Sequence, residues 1–339
     1  MELSNVLQHW FAQHKRELPW RETSDPYRIW VSEIILQQTR VAQGLDYYRR
    51  FVERFPSVQD LAEATETEVL RLWQGLGYYS RARNMLKAAR QCQGCFPSHY
   101  EDLIQLPGIG DYTAAAVSSF SAGEPHATVD GNVYRVLARW FDLDTPTDTP
   151  AGNRLFKQLA TEVMDQRHPG AHNQAVMEFG ALQCTPGQPD CSRCPVQDGC
   201  LAYAHGTVNQ RPVKAGKTRQ RIRHLYYMDI RMGEDTFLHR RSGRDIWQGL
   251  YEMPLWEQET EPSDAQIERR LHGTGYALGG WSREIRHVLS HQVLLVRFLP
   301  VNLLQTNEWL DRFIRVPVAE LDRYPLSRLT LNYLENKKG

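Results

Sequence analysis

The hydrophobic pattern of this chain changes period near residue 205, so no single layer of secondary structure can hold all of it. Before that point apolar residues return every three to four positions, the helical spacing. Leu3, Val6, Leu7, Trp10 and Phe11 form one such set, Tyr27, Trp30, Val31, Ile34 and Ile35 a second, and Val133, Val136, Leu137 and Trp140 a third. Asp25-Pro26 reads as an N-cap followed by proline at the first helical position, where a missing N–H is harmless. Residues 205–216 mix Gly, Pro and Asn with few apolar side chains and read as a linker. Strand-like runs then appear at 225–230, 236–238 and 293–298, with helical patches at 267–271 and 329–334. The expected architecture is multidomain: an all-α region over 1–204, a linker over 205–222, and an α+β domain over 223–339.

Composition narrows the class. The 339 residues are 41% hydrophobic and 24% charged, ordinary for a globular protein, and long enough for two domains. No run approaches the ~18 apolar residues of a membrane span, and the first residues lack the basic-then-apolar pattern of a secretory signal. The expected compartment is therefore the cytosol, with no membrane partner. Lys plus Arg number 40 and Asp plus Glu number 40, which excludes binding of nucleic acid by bulk charge. Residues 1–212 carry 20 basic and 24 acidic side chains, and residues 213–339 carry 20 and 16. Lys214, Lys217, Arg219, Arg221 and Arg223 form an acid-free stretch. Any nucleic-acid contact must come from local patches.

Four of the six cysteines, Cys184, Cys191, Cys194 and Cys200, are spaced C-x6-C-x2-C-x5-C. In an intracellular chain such a cluster points to a metal before disulfides. Four thiolates suit a tetrahedral zinc or an iron–sulfur cubane, and Pro186, Pro189, Pro195 and Gly199 would bend the loop around it. The other pair, Cys92 and Cys95, has no second pair to complete a site.

Leu106-Pro107-Gly108-Ile109-Gly110 lies between two helical segments. Its glycines permit a tight hairpin whose amides, with the next helix N-terminus, suit a phosphate. An ordinary helix–helix turn would look similar. Asp130, in Val129-Asp130-Gly131-Asn132-Val133, sits where a helix starts and would serve as an N-cap on its own.

Taken together, the hairpin, the aspartate and the cysteine loop resemble the endonuclease III superfamily of helix-hairpin-helix base-excision DNA glycosylases, and within it the adenine-specific branch. Further matching stretches are Leu18-Pro19-Trp20-Arg21, Ser32-Glu33-Ile34-Ile35-Leu36-Gln37-Gln38-Thr39 and Gly75-Leu76-Gly77-Tyr78-Tyr79-Ser80-Arg81. The resemblance runs to about residue 205 and resumes more weakly beyond. It implies a six-helix subdomain over about 22–125 and a cluster subdomain made of 1–21 plus 126–204. The cysteine loop would carry a four-iron four-sulfur (4Fe-4S) cluster. The substrate would be double-stranded DNA with adenine mispaired with 8-oxoguanine or G, acted on by a bacterial-type, nucleoid-associated monomer. Tyr112 stands where bifunctional relatives have the lysine that forms a Schiff base. A phenol cannot form an imine, so a monofunctional hydrolase is expected.

Breaking a glycosidic bond through an oxocarbenium-like transition state needs an acid for the leaving base and a negative charge near the sugar. Ile29, Trp30 and Leu36 lie at helical spacing from Glu33, and apolar neighbours raise a carboxyl's pKa. By resemblance Glu33 protonates adenine and then handles the water. Asp130 stabilises the cation, and Asn132 and Tyr112 orient Asp130 and the sugar. The base must be flipped out of the duplex. Gln38 and Tyr78 would fill or wedge the gap, with Thr39, Arg81, Gly108, Gly110 and Arg193 on the DNA, and Glu178 would touch the flipped adenine.

The C-terminal domain resembles the Nudix-like fold appended to this branch. Trp247-Gln248-Gly249-Leu250-Tyr251-Glu252-Met253-Pro254 echoes its characteristic turn, without the glutamate-rich metal helix of true Nudix hydrolases. A lesion-recognition role is implied. His287-Val288-Leu289-Ser290-His291 resembles the branch's recognition loop, with Leu289 where phenylalanine is usual. Ser290 would read N7–H or the C8 oxygen of 8-oxoguanine, and His291 would support it.

Overall fold

Asp25 opens its helix as the sequence requires: its side chain accepts from the amide of Tyr27 at 2.9 Å, and Pro26 takes the first helical position. The computed structural model describes residues 3–216 and 220–337. Twelve helices precede the first strand among these residues. They are α1 Leu3–His14, α2 Pro26–Leu36, α3 Val41–Arg54, α4 Val58–Glu63, α5 Glu66–Leu72, α6 Ser80–Gln91, α7 Tyr100–Leu103, α8 Asp111–Ser121, α9 Gly131–Trp140, α10 Pro150–Glu162, α11 Pro169–Leu182 and α12 Leu201–Ala204. One unit comprises the residues up to Glu63 with Asn84–Gly216. The other comprises Ala64–Arg83 with the residues from 220 on.

In the first unit α2 packs on α8, whose buried run of Thr113, Ala114, Ala115 and Ala116 has small side chains that permit close approach. Leu3, Leu7 and Trp10 of α1 share a core with Val136 and Leu137 of α9, Phe156 of α10 and Phe179 of α11. The N-terminal helix is thereby built into the cysteine-bearing part of the unit. The stretch expected to be a linker starts there too. Asp142 accepts from His205 and Thr207 and pairs with Arg211, and the amide of Thr147 donates to the carbonyl of Val213. These bonds fasten residues 205–213 to the first unit.

The second unit contains a mixed sheet. Its strands are β1 Arg221–Met232, β2 Asp235–Arg240, β3 Tyr251–Glu252, β4 Leu255–Glu257, β5 Ala277–Leu278, β6 Ile285–Val288, β7 Gln292–Asn302 and β8 Ile314–Pro317. The central pair β1 and β7 is parallel, from Arg221 opposite Gln292 to Arg231 opposite Asn302, and the other pairings are antiparallel. Alternation along β1 feeds two cores. Tyr226, Met228 and Ile230 meet Ile267 and Leu271 of helix α13 (Asp264–Leu271). Leu225 and Tyr227 meet Leu329 of helix α14 (Arg328–Asn336). A sheet covered on both faces explains why the run at 225–230 is nearly continuous in apolar character. Within the acid-free basic stretch, Arg223 is buried between Asp245 and Glu257, while Lys217 and Arg219 lie outside the described residues.

Candidate active site and nucleic-acid interface

In the first unit, Glu33, Tyr112, Asp130, Asn132, Gln38, Thr39 and Glu178 line one cavity. Glu33 lies in the last turn of α2 and is 7% exposed. The Tyr112 hydroxyl donates to its Oε2 at 2.7 Å. Burial pushes the Glu33 carboxyl up to about 7, the nearby Asp130 charge adds to this, and the Tyr112 hydrogen bond and the Arg21 charge oppose it. The Tyr112 hydroxyl, expected to orient Asp130 and the sugar, is bonded to Glu33 in this structure.

Asp130 caps α9 and faces the cavity at once. One oxygen accepts from the amides of Asn132 and Val133, at 2.9 and 2.8 Å, and the other accepts from the Asn132 side chain at 2.8 Å. Burial raises its pKa while these hydrogen bonds restrain the rise. The helix cap and the site aspartate are thus one residue, which is why its spacing alone could not separate the two roles.

Gln38 follows the end of α2 with φ 59°, the left-handed conformation that glycine usually supplies beyond a helix C-terminus. It is exposed at the cavity with Thr39 beside it. In the hairpin, Gly108 has φ 79°, and a Cβ there would meet the Asn84 side chain at 2.7 Å, so only glycine fits. Gly110 is extended and faces open space.

Glu178 is 1% exposed and its acceptors are already engaged. The Arg16 amide and guanidinium and the Arg21 guanidinium donate to it at 2.6–3.0 Å. Although burial alone would raise this carboxyl, the two arginines pull it down to about 2. Glu178 thus holds two cations at the cavity wall.

The four cysteines line a second cavity with Val136, Trp140 and Phe179. The loop sits close on α9: a Cβ on Gly199 would meet the Trp140 ring at 2.4 Å. Buried Arg139 donates to Cys184 Sγ at 3.3 Å and to the Thr185 carbonyl at 2.8 Å. Among the described residues no three His, Cys, Asp or Glu side chains converge as one ion would require. Arg193 is exposed and pairs with Asp190 at 2.6 Å.

The second unit brings the other candidates together. Gly75, Gly77 and Tyr78 have φ of 98°, 72° and 46°, so the turn before α6 is largely left-handed and leaves Tyr78 exposed. Arg81 folds back on this turn, donating to the Gly77 carbonyl at 3.2 Å and lying over the Trp73 and Tyr78 rings. The Tyr78 and Ser290 hydroxyls are hydrogen-bonded to each other. Both line a cavity with Trp247, His287, Leu289 and His291.

Residues 31–160 match the family model "HhH-GPD superfamily base excision DNA repair protein", and residues 225–336 match the NUDIX domain. An adenine DNA glycosylase of Mus musculus is 46% identical over 214 residues, 59% of this chain but 41% of its own length. An adenine DNA glycosylase of Buchnera aphidicola (subsp. Baizongia pistaciae) is 33% identical over 301 residues, 86% of this chain and 83% of its own. The chain belongs to the adenine DNA glycosylase family. A solved structure of a thermostable thymine-DNA glycosylase is similar at TM-score 0.55 and 26% identity, over 60% of this chain and 95% of that one.

For this family member, the structure adds residues that pattern reading passed over. Arg135, on α9, donates to the Asn132 side chain at 2.9 Å and to the Cys184 carbonyl at 2.7 Å. It thereby ties the group that holds Asp130 to the start of the cysteine loop. A charged residue at helical spacing from Asn132 was the only available signal. Arg16 has no motif of its own, and Arg21 lay in a matched stretch without an assigned role.

Proposed function

We propose that this protein excises adenine from DNA in which adenine faces 8-oxoguanine or G, hydrolysing the N-glycosidic bond without strand cleavage. The observation that carries the reading is the Glu33–Asp130 pair in one cavity. One carboxyl is buried enough to keep a proton near neutrality, and the other is held by three hydrogen bonds that favour its charged form. Glu33 gives its proton to N7 of the flipped adenine. The bond to C1′ breaks with its electron pair passing to the base. The Asp130 carboxylate faces the resulting cation, and water adds to C1′ as Glu33 takes back a proton. Tyr112 holds the Glu33 carboxyl in place, and its phenol offers no amine for an imine.

DNA binding is assigned to local surfaces. The hairpin with Gly108 and Gly110 offers amides to phosphate, Gln38 and Tyr78 attend the flipped nucleotide, and Ser290 with His291 reads the opposite base. Removing a normal base safely needs that second reading, and a polar site discriminates because a wrong base leaves its groups unpaired, at roughly 1–3 kcal/mol each. Cys184, Cys191, Cys194 and Cys200 fit a 4Fe-4S cluster better than a single ion. All four line one apolar-walled cavity without converging on a point, and a buried guanidinium stands beside one sulfur. When bound, that group cross-links the loop carrying Arg193. No helix among the described residues is long and apolar enough to cross a membrane. We place the protein, as a monomer, with the DNA of the cytosol.

Single-turnover excision on duplexes with A opposite 8-oxoguanine, A opposite G and T opposite G tests the assignment. Excision of A from the first two, fastest from the first, is expected. Excision of thymine, or a borohydride-trapped adduct with the parent protein, would contradict it.

A further inference from the structure

Trp247 has φ 60°, a left-handed conformation that bulky residues rarely adopt and that glycine or asparagine would take with less strain. Strained backbone of this kind persists where the surrounding structure over-determines it, and such positions cluster at functional sites. Here the surroundings are firm. Arg241 donates to the Ile246 carbonyl at 3.1 Å, the Leu250 amide to the Trp247 carbonyl at 2.9 Å, and Asp245 is gripped by buried Arg223 at 2.7 Å. The indole is half-buried and centred 6.0 Å from the His287 ring, and both rings line the cavity shared with Ser290. The turn after His287 is fastened elsewhere. The Leu289 amide donates to the Gln292 carbonyl at 2.8 Å, and the Arg221 amide to the His291 carbonyl at 3.0 Å. With the β6–β7 ladder, which sets His287 opposite Leu294 and Val288 opposite Val293, they fix the backbone of the turn and leave the seat of the His287 ring to its neighbour, the indole.

We propose that Trp247 is a positioning residue for lesion recognition: its indole seats the His287 ring at the mouth of the His287–His291 turn, in the geometry that reads the base opposite adenine. The inference rests on the proposed reading of that turn. It assigns to Trp247 a role that neither its modest burial nor its place in the Nudix-like turn required.

The test is a double-mutant cycle on the full-length protein, read as the single-turnover rate preference for A opposite 8-oxoguanine over A opposite G. Trp247→Asn keeps a residue suited to the left-handed turn and removes the ring. The preference should fall about tenfold, as small misplacements of a reading group do. Trp247→Phe should restore most of it, and His287→Ala should lower it without adding to the Trp247→Asn effect. The loss should fall on A opposite 8-oxoguanine, and the rate on A opposite G at saturating enzyme should stay within about twofold of the parent. A full preference in Trp247→Asn overturns the inference alone. So do additive losses, or an equal fall on both duplexes together with a lowered melting temperature. A parent protein without any preference overturns the proposed function, and this inference with it.

Discussion

Two buried glutamates share one cavity and are driven in opposite directions. Glu33 is 7% exposed and Glu178 1% exposed, so burial alone would raise both. Glu33 has a phenol and a nearby carboxylate for company, and rises to about 7. Glu178 has two guanidiniums, and falls to about 2. The lesson is that partners decide what a buried carboxyl becomes. Two cations make a fixed anion that organises the wall. Burial, aided by a like charge and only weakly opposed by a phenol, makes an acid with a proton to give.

The sharpest way to break the comparison is to exchange each carboxyl for its neutral amide. Glu33→Gln should lower single-turnover excision by about a thousandfold or more, since a positioned general acid contributes on that scale. Glu178→Gln should act mainly on stability. It strands two cations, partly exposed at the Arg16 side, and should cost about 2 kcal/mol in denaturant unfolding at neutral pH. Near-parental stability there would show that Arg16 and Arg21 find other partners.

The pH dependence of stability separates the two residues further. Glu178 titrates lower when folded than when unfolded, so its contribution is present above its unfolded pKa and is lost as pH falls toward about 2. Glu33 titrates higher when folded. Its contribution is full below the unfolded value and lost as pH rises through about 7. Glu33→Gln should therefore be more stable than the parent near pH 8, by roughly 1–3 kcal/mol, with no gain near pH 4. A constant difference across pH would mean that Glu33 does not carry the shifted proton. The smallest effect is expected from Tyr112→Phe. Removing a donor that favours the carboxylate should raise the Glu33 pKa slightly further and move the alkaline limb of the rate profile up by about half a unit.

Much of this was legible before any coordinates, and the reasons are local. Asp25-Pro26, the period of α1 and the apolar run of β1 each carry their own physical instruction, so helix, cap and central strand follow directly. The cysteine spacing marked one loop, and its four thiols do line one cavity. What stayed hidden depends on contacts across long stretches of chain. Tyr112 meets Glu33 across 79 positions, and Arg16 meets Glu178 across 162, with no pattern in either segment to announce it. The grouping of residues 64–83 with the β-rich unit was equally invisible, because their helical period reads the same whatever they pack on. Trp247 illustrates the converse. Its motif was visible, but a left-handed tryptophan is not something propensity leads one to expect.

The central claim is that Glu33 keeps a proton near neutrality and spends it on the leaving base. The most direct measurement is the single-turnover rate of adenine excision opposite 8-oxoguanine as a function of pH, for the parent and for Tyr112→Phe. The account predicts a rate that declines on the alkaline side with a midpoint near 7, shifted upward in the variant. A parental rate that stays level to about pH 9, or a limb that does not move in the variant, would contradict it.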